Sequence, residues 1–170
     1  MGDREGIGGH IAVGHLTSPS RLHDGDTFHD GSPHLHADAE VAVEIGTDRY
    51  GAALELVDLA PLDGEPDSVV AANVFHRAVA FSALRTGLPF VEARLIVNGE
   101  VRAAAPAPTD LSRRLADAEA LLAAVGEGFE PGDLVITGSV VQVPVAPGDE
   151  VTADLGELGA VTLRVSSAPD

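Results

Sequence analysis

Only one stretch of this 170-residue chain carries a helical period. Between Asp110 and Gly126, the residues Leu111, Leu115, Ala118, Leu122 and Val125 recur at spacings of three and four, which builds one apolar face. Thr109 or Asp110 can cap its start and Gly126 can end it. Nearly all other apolar residues come in short runs bounded by turn residues. Residues 40–46 and 52–57 read as strands. Residues 93–97 and 100–103 flank Asn98-Gly99, the signal of a tight hairpin. Residues 134–137, 140–145, 150–155 and 160–165 are strand segments set off by the turns Pro131-Gly132-Asp133 and Pro147-Gly148-Asp149. Residues 67–84 suggest a loop and then a strand over 76–81. One helix among many strands leaves no β-α-β alternation, which excludes Rossmann and TIM architectures. Gly6-Ile7-Gly8-Gly9 precedes no helical pattern, so it is not a dinucleotide fingerprint. The expected class is α+β, mostly β, with one main covering helix over about 110–125.

The first 36 residues differ from the rest. They hold six of the seven histidines, with many Gly, Asp and Ser. This predicts an irregular histidine-rich segment over 1–36, in which residues 18–33 form a lid-like loop. A β domain over 37–168 follows.

Charge and missing residue types narrow the chemistry. Asp and Glu total 27 against 10 basic residues, all of them Arg, for a net charge of −17. Such a surface repels nucleic acid and anionic lipid, so neither is expected as a partner. An anionic substrate would need local help from a metal, an Arg or backbone N–H groups. Without Lys there is no Schiff base, and without Cys no disulfide, thiolate zinc site or cysteine nucleophile. No apolar run approaches a membrane span, and the start of the chain lacks the pattern of a secretory signal, so a cytoplasmic location is expected.

The densest cluster of chemistry-bearing side chains is His34-Leu35-His36-Ala37-Asp38-Ala39-Glu40. Its four ligand-type residues fall at every second position, so an extended backbone aims them all to one side. Carboxylates there suit a hard cation such as Mg²⁺; added imidazoles would suit Mn, Fe or Zn. Glu55, between Leu54 and Leu56, places a charge in an apolar setting and could add a third carboxylate. His34, His36 and Glu40 also form an H-x-H-x3-E pattern that resembles the first metal motif of cupins, although the flanking glycines and a second motif do not follow.

A longer resemblance runs along the chain. Asp38-Ala39-Glu40-Val41-Ala42 resembles the E-x-E-(I/L/V)-A strand of the fumarylacetoacetate hydrolase superfamily, in particular its 2-oxopent-4-enoate hydratase and 4-oxalocrotonate decarboxylase branch. Ala53-Leu54-Glu55-Leu56 resembles the next acidic segment, and Asp67-Ser68-Val69-Val70-Ala71-Ala72-Asn73 its D-(S/T)-V-A-D-N stretch. Residues 128–139 resemble the G-x-x-L-x-x-G-D-(I/L)-(I/V)-L-T-G-(S/A) signature, and residues 147–161 the closing P-G-D…(L/I)-G-x-V pattern.

This resemblance implies a mixed β-roll of the family's C-terminal-domain type. It implies Mg²⁺ or Mn²⁺ on Asp38, Glu40 and Glu55, with Asp67, Asn73, Thr137 and Ser139 lining the substrate site. It also implies hydratase, lyase or isomerase chemistry on a 2-oxo acid or enolisable polyketide-like compound, through a metal-stabilised enolate. Family members commonly assemble, so a homo-oligomer is expected. His29, His36 and His76 are the candidate proton-transfer groups, since imidazole titrates near neutrality.

Departures are visible as well. The first ligand position is Asp38 rather than Glu, the family's Lys is missing, and Ala72 replaces the second Asp of its motif. Glu40 and Glu55 stand 15 positions apart, leaving no room for the family's helical excursion between them. These departures point to a trimmed pocket and leave two alternatives: a metal-free cyclase or isomerase of secondary metabolism on the same scaffold, or an inactive binding module.

Overall fold

Strands are built here from alternating side chains that two different surroundings divide between them. The computed structural model describes residues 11–61 and 66–168, apart from the side chains of Pro66 and Asp67. Its first half runs β1 (Arg21–Leu22), β2 (Thr27–His29), β3 (Leu35–Glu44), β4 (Arg49–Asp58), α1 (Pro66–Ala71), β5 (His76–Phe81) and β6 (Arg85–Thr86). The second half runs β7 (Glu92–Val97), β8 (Glu100–Pro106), α2 (Leu111–Ala124), β9 (Leu134–Ile136), β10 (Val141–Pro144), β11 (Glu150–Asp154) and β12 (Ala160–Ser166).

Two sheets result. One has the order β1-β5-β4-β3-β10, with β6 and β9 pairing at the ends of β4 and β3; the other has the order β2-β12-β11-β7-β8. β1 with β5 and β2 with β12 are parallel, and the remaining pairs are antiparallel, so both sheets are mixed as expected. One face of β3 and β4 (Ala37, Ala39, Val41, Leu54, Leu56) packs against Leu95, Val151, Leu163 and Val165 of the second sheet. That apolar layer is the core. The opposite face carries Asp38, Glu40 and Glu55.

Local expectations hold where turn chemistry is strong. The hairpin turns at Asn98-Gly99, and the predicted helix spans Leu111–Ala124. At its start, Asp110 occupies the capping position but makes no side-chain cap bond. Its carboxylate instead accepts from Arg114 and Arg113, and these guanidiniums hold its carboxyl below the usual range. α1 was not expected. Six residues are too few to show a period, and the alanines beside them blur it further.

The N-terminal segment also differs from the expectation. Residues 21–22 and 27–29 are edge strands, one in each sheet, so the stretch over 18–33 is partly paired into the fold rather than wholly a loop. Arg77 secures the loop that follows, bridging Asp30 (2.9 Å) and Asp58 (3.2 Å).

The tight turn before β12 depends on Gly159. Its φ of 103° lies in the left-handed region, and an added Cβ would stand 2.9 Å from Ser82 Oγ. That hydroxyl accepts from Ala52 N–H and donates to the Leu158 carbonyl, so it cannot retreat freely. Gly159→Ala is expected to lower stability by about 1–3 kcal/mol. Urea unfolding would read this as a reduced midpoint at unchanged slope.

Candidate metal centre and its cavity

The acidic cluster follows from strand register. β3 and β4 form a direct hairpin in which Asp38 and Glu55 are cross-strand partners, and Glu40 lies two residues further along the same face of β3. Each of the three offers a carboxylate oxygen, and these oxygens lie within 4.8 Å of one another. The residues are 3%, 1% and 8% exposed for Asp38, Glu40 and Glu55. Burying carboxylates this close together is costly unless positive charge or N–H donors meet them.

Neighbouring elements supply such donors. Glu40 Oε2 accepts the Gly138 N–H at 2.8 Å. Gly138 has φ 92°, a conformation that suits glycine and turns its N–H toward the floor of the site. Asp38 Oδ2 accepts from Gln142 Nε2 at 3.2 Å, across the β3–β10 pair that sets Gln142 opposite Asp38. Glu55 Oε1 lies 2.6 Å from His76 Nδ1. The other ring nitrogen of His76 lies 2.8 Å from Ser20 Oγ. Burial pushes the His76 imidazole below its ordinary pKa. Against a carboxylate, which only accepts, Nδ1 is the donor to Glu55, while Nε2 faces the Ser20 hydroxyl. Ser20 Oγ also contacts the Thr17 backbone and hydroxyl, so it serves as a clasp.

These groups form the floor of a cavity of about 940 Å³. Segment 11–18 makes one wall, and residues 127–138 make another. Leu115, Ala118 and Leu122 of α2 line it from above. Asn73 clamps the first wall: its Oδ1 accepts the His15 N–H at 2.7 Å and its Nδ2 donates to the His15 carbonyl at 2.9 Å. Asn73, Val74 and Phe75 all have positive φ, from 52° to 67°. For residues with bulky side chains this is strained backbone, of the kind that clusters at functional sites. Arg21 also lines the cavity, its guanidinium carbon 5.3 Å from the Phe81 ring centroid. Among the described residues it makes no ion pair.

Of the residues singled out from the sequence, Asp38, Glu40, Glu55, Asn73, His76 and Thr137 line this cavity. Thr137 Oγ1 is spent on the Val41 carbonyl at 3.2 Å. The Asp67 side chain lies outside the described residues. The others are elsewhere. Ser139 lines a separate recess with Phe90 and Pro108. His29 is on β2, at the edge of the other sheet, and its Nδ1 lies 3.3 Å from the Ser167 carbonyl. His36 shares the strand face of Asp38, but its ring folds back to the His34 carbonyl at 2.8 Å and does not reach the cavity. Sequence reasoning missed Ser20, Gln142, Arg21 and His15 as site residues. His15 lines the cavity, with its Nε2 3.6 Å from Glu127. Its local sequence carries no spacing that signals this position.

The donor set is all oxygen, rigidly held and anionic. This fits a hard divalent cation such as Mg²⁺ or Mn²⁺, while no imidazole of the His34/His36 pair joins it to make a cupin-like site.

No family model matches the sequence, and no curated protein matches it. Solved structures do match the fold. A 4-oxalocrotonate decarboxylase from Pseudomonas putida G7, complexed with magnesium and adipate, superposes with a TM-score of 0.81 at 23% identity, covering 96% of this chain and 73% of that one. A 5-carboxymethyl-2-hydroxymuconate delta-isomerase from Mycobacterium smegmatis gives 0.64 at 18% identity, covering 87% and 66%. A fumarylpyruvate hydrolase from Pseudomonas aeruginosa, in complex with Mn²⁺ and pyruvate, gives 0.60 at 18% identity, covering 86% and 74%. The resemblance read along the sequence therefore holds at the level of the fold: these neighbours belong to the fumarylacetoacetate hydrolase superfamily.

Proposed function

We propose that this chain, built on the fold of the fumarylacetoacetate hydrolase superfamily, is an enzyme that uses a divalent cation to act on a 2-oxo acid or a related enolisable compound. The observation that carries this reading is the convergence of three buried carboxylates within 4.8 Å on the floor of a cavity. Asp38, Glu40 and Glu55 would hold Mg²⁺ or Mn²⁺. A cation held there supplies a Lewis acid toward the oxo and carboxylate oxygens of a substrate.

The remaining work falls to the chain. Gly138 N–H, Gln142 and His76 fix the three carboxylates, each by a hydrogen bond on a different element. Arg21 is the cation placed to bind a substrate carboxylate. His76 has both ring nitrogens committed, so it positions Glu55 and keeps the Nδ1 proton against it. His15, on the cavity wall with its Nε2 3.6 Å from Glu127, is a candidate for proton transfer.

The test joins binding and chemistry. Chelator-stripped protein titrated with MnCl₂ by calorimetry is expected to show one saturable site. Gln142→Leu is expected to weaken it about 10-fold or more, the usual cost of losing a group that orients a ligand. Proton NMR in D₂O is expected to show Mn²⁺-dependent exchange at C3 of a 2-oxo acid. Absence of Mn²⁺ binding in the wild type would overturn the reading.

A second reading has one observation in its favour. The His76–Glu55 pair at 2.6 Å already meets one of the three carboxylates with an N–H donor. On that reading the cavity shapes a flexible substrate for metal-free cyclisation or isomerisation. Turnover that survives complete chelation would select it.

A further inference from the structure

α2 brings apolar side chains to the cavity, Leu115, Ala118 and Leu122, beside the charged Arg113, Arg114 and Asp117. α2 carries a continuous apolar stripe, yet only its two ends, Leu111 and Leu122, are buried. Between them Leu115 and Ala118 are half-buried and line the cavity. A helix ordinarily presses such a stripe onto the sheet beneath it. Here Leu115 packs partly against the core and, with Ala118, also borders the cavity, whose lining includes Val79, Phe129 and Ile136. The volume, about 940 Å³, is near the upper end of the roughly 300–1,000 Å³ typical of small-molecule sites. A compact 2-oxo acid such as pyruvate would occupy the acidic floor and leave the apolar side chains of α2 facing water.

Resting on the enolisable-acid reading above, we infer that the substrate is an amphiphile. Its oxo-acid head lies at Asp38, Glu40 and Glu55, and an extended apolar body lies beneath α2 against Leu115, Ala118 and Phe129. The charge pattern fixes the orientation. The clustered carboxylates Asp38, Glu40 and Glu55 lie on the floor, where an apolar tail would leave them desolvated, whereas Leu115, Ala118 and Leu122 offer a tail apolar contact along one side of α2. Burial of each added methylene is the driving force for the tail.

The experiment is a chain-length series on the intact wild-type protein. Pyruvate, 2-oxohexanoate and 2-oxooctanoate would be titrated by calorimetry, each with saturating Mn²⁺ and again with chelator. Affinity is expected to rise about two- to four-fold per methylene, so 2-oxooctanoate should bind roughly 30-fold or more tighter than pyruvate. Ala118→Phe, which fills the space under the helix, is expected to abolish most of that gain. Length-dependent binding lost in Ala118→Phe supports the inference. Equal affinity along the series, with Mn²⁺ still required, overturns it and leaves the metal reading standing. Length dependence unchanged by Ala118→Phe places the tail elsewhere and also overturns it. Length dependence that is indifferent to Mn²⁺ supports the amphiphile and removes the metal reading. Absence of binding along the whole series overturns both.

Discussion

Glu40→Gln is expected to abolish saturable Mn²⁺ binding while leaving the fold intact. Glu40 is 1% exposed, and its Oε2 accepts the Gly138 N–H at 2.8 Å. Glutamine keeps the shape, and its carbonyl oxygen can keep that bond, so the substitution removes charge more than structure. Two unit charges about 4 Å apart interact by roughly 4 kcal/mol at an effective dielectric near 20. Losing one of three anionic ligands therefore removes several kcal/mol of cation attraction, an affinity loss well above 100-fold. The readout does not depend on activity. Free metal at 100 times its dissociation constant stabilises the protein by about 2.7 kcal/mol. For a domain of this size that raises the melting temperature by roughly 5–10 °C. Wild type should show this rise with Mn²⁺ and Glu40→Gln should not. A mutant that still shifted fully would remove Glu40 from the ligand set.

The largest effect on the fold is expected at the neighbouring strand. Leu54 is fully buried on β4, between β3 and β5, and faces the second sheet. Leu54→Ala leaves a cavity in the layer between the sheets and is expected to cost about 2–5 kcal/mol. That is a large share of the roughly 5–15 kcal/mol that keeps a domain folded. The melting temperature should fall by roughly 5–15 °C. Glu55, the next residue, points to the other face, so the folded fraction should keep its Mn²⁺ site. Denaturant unfolding and Mn²⁺ calorimetry on the same sample separate the two. A mutant as stable as the wild type would mean that this layer collapses readily to fill the void.

These two outcomes share one structural cause. Along β3 and β4 alternate residues serve different masters: Ala37, Ala39, Val41, Leu54 and Leu56 hold the sandwich together, while Asp38, Glu40 and Glu55 face the cavity. A strand has a period of two, so this division is legible in the sequence. Polar residues at alternate positions of an otherwise apolar run, bounded by Gly46, already say that one face is not core. The hairpins at Asn98-Gly99 and around the Pro-Gly-Asp turns are legible for a similar reason, because turn geometry is set by the residues within the turn. The helical stripe of α2 is local as well.

What joins these pieces is not local. Gly138 reaches Glu40 across 98 positions, Gln142 reaches Asp38 across 104, and His76 reaches Glu55 across 21. No spacing rule connects them. They meet because β9 and β10 pair with β3, and β5 pairs with β4, in particular registers. Register also decided among the histidines. Seven imidazoles have the same intrinsic chemistry, but the pairing of β2 with β12 carries His29 to the far sheet, while the Asn73 clamp brings His15 to the cavity wall. The apolar face of α2 could be read from its sequence, and a helix covering a sheet was the natural expectation. That Leu115 and Ala118 in its middle also border a cavity depends on where the tertiary structure sets the helix. Sequence by itself thus determined which residues are chemically able to form the site and which strand face they share. Only the tertiary structure decided which of them meet, because convergence is a property of strand register and of the space left between packed elements.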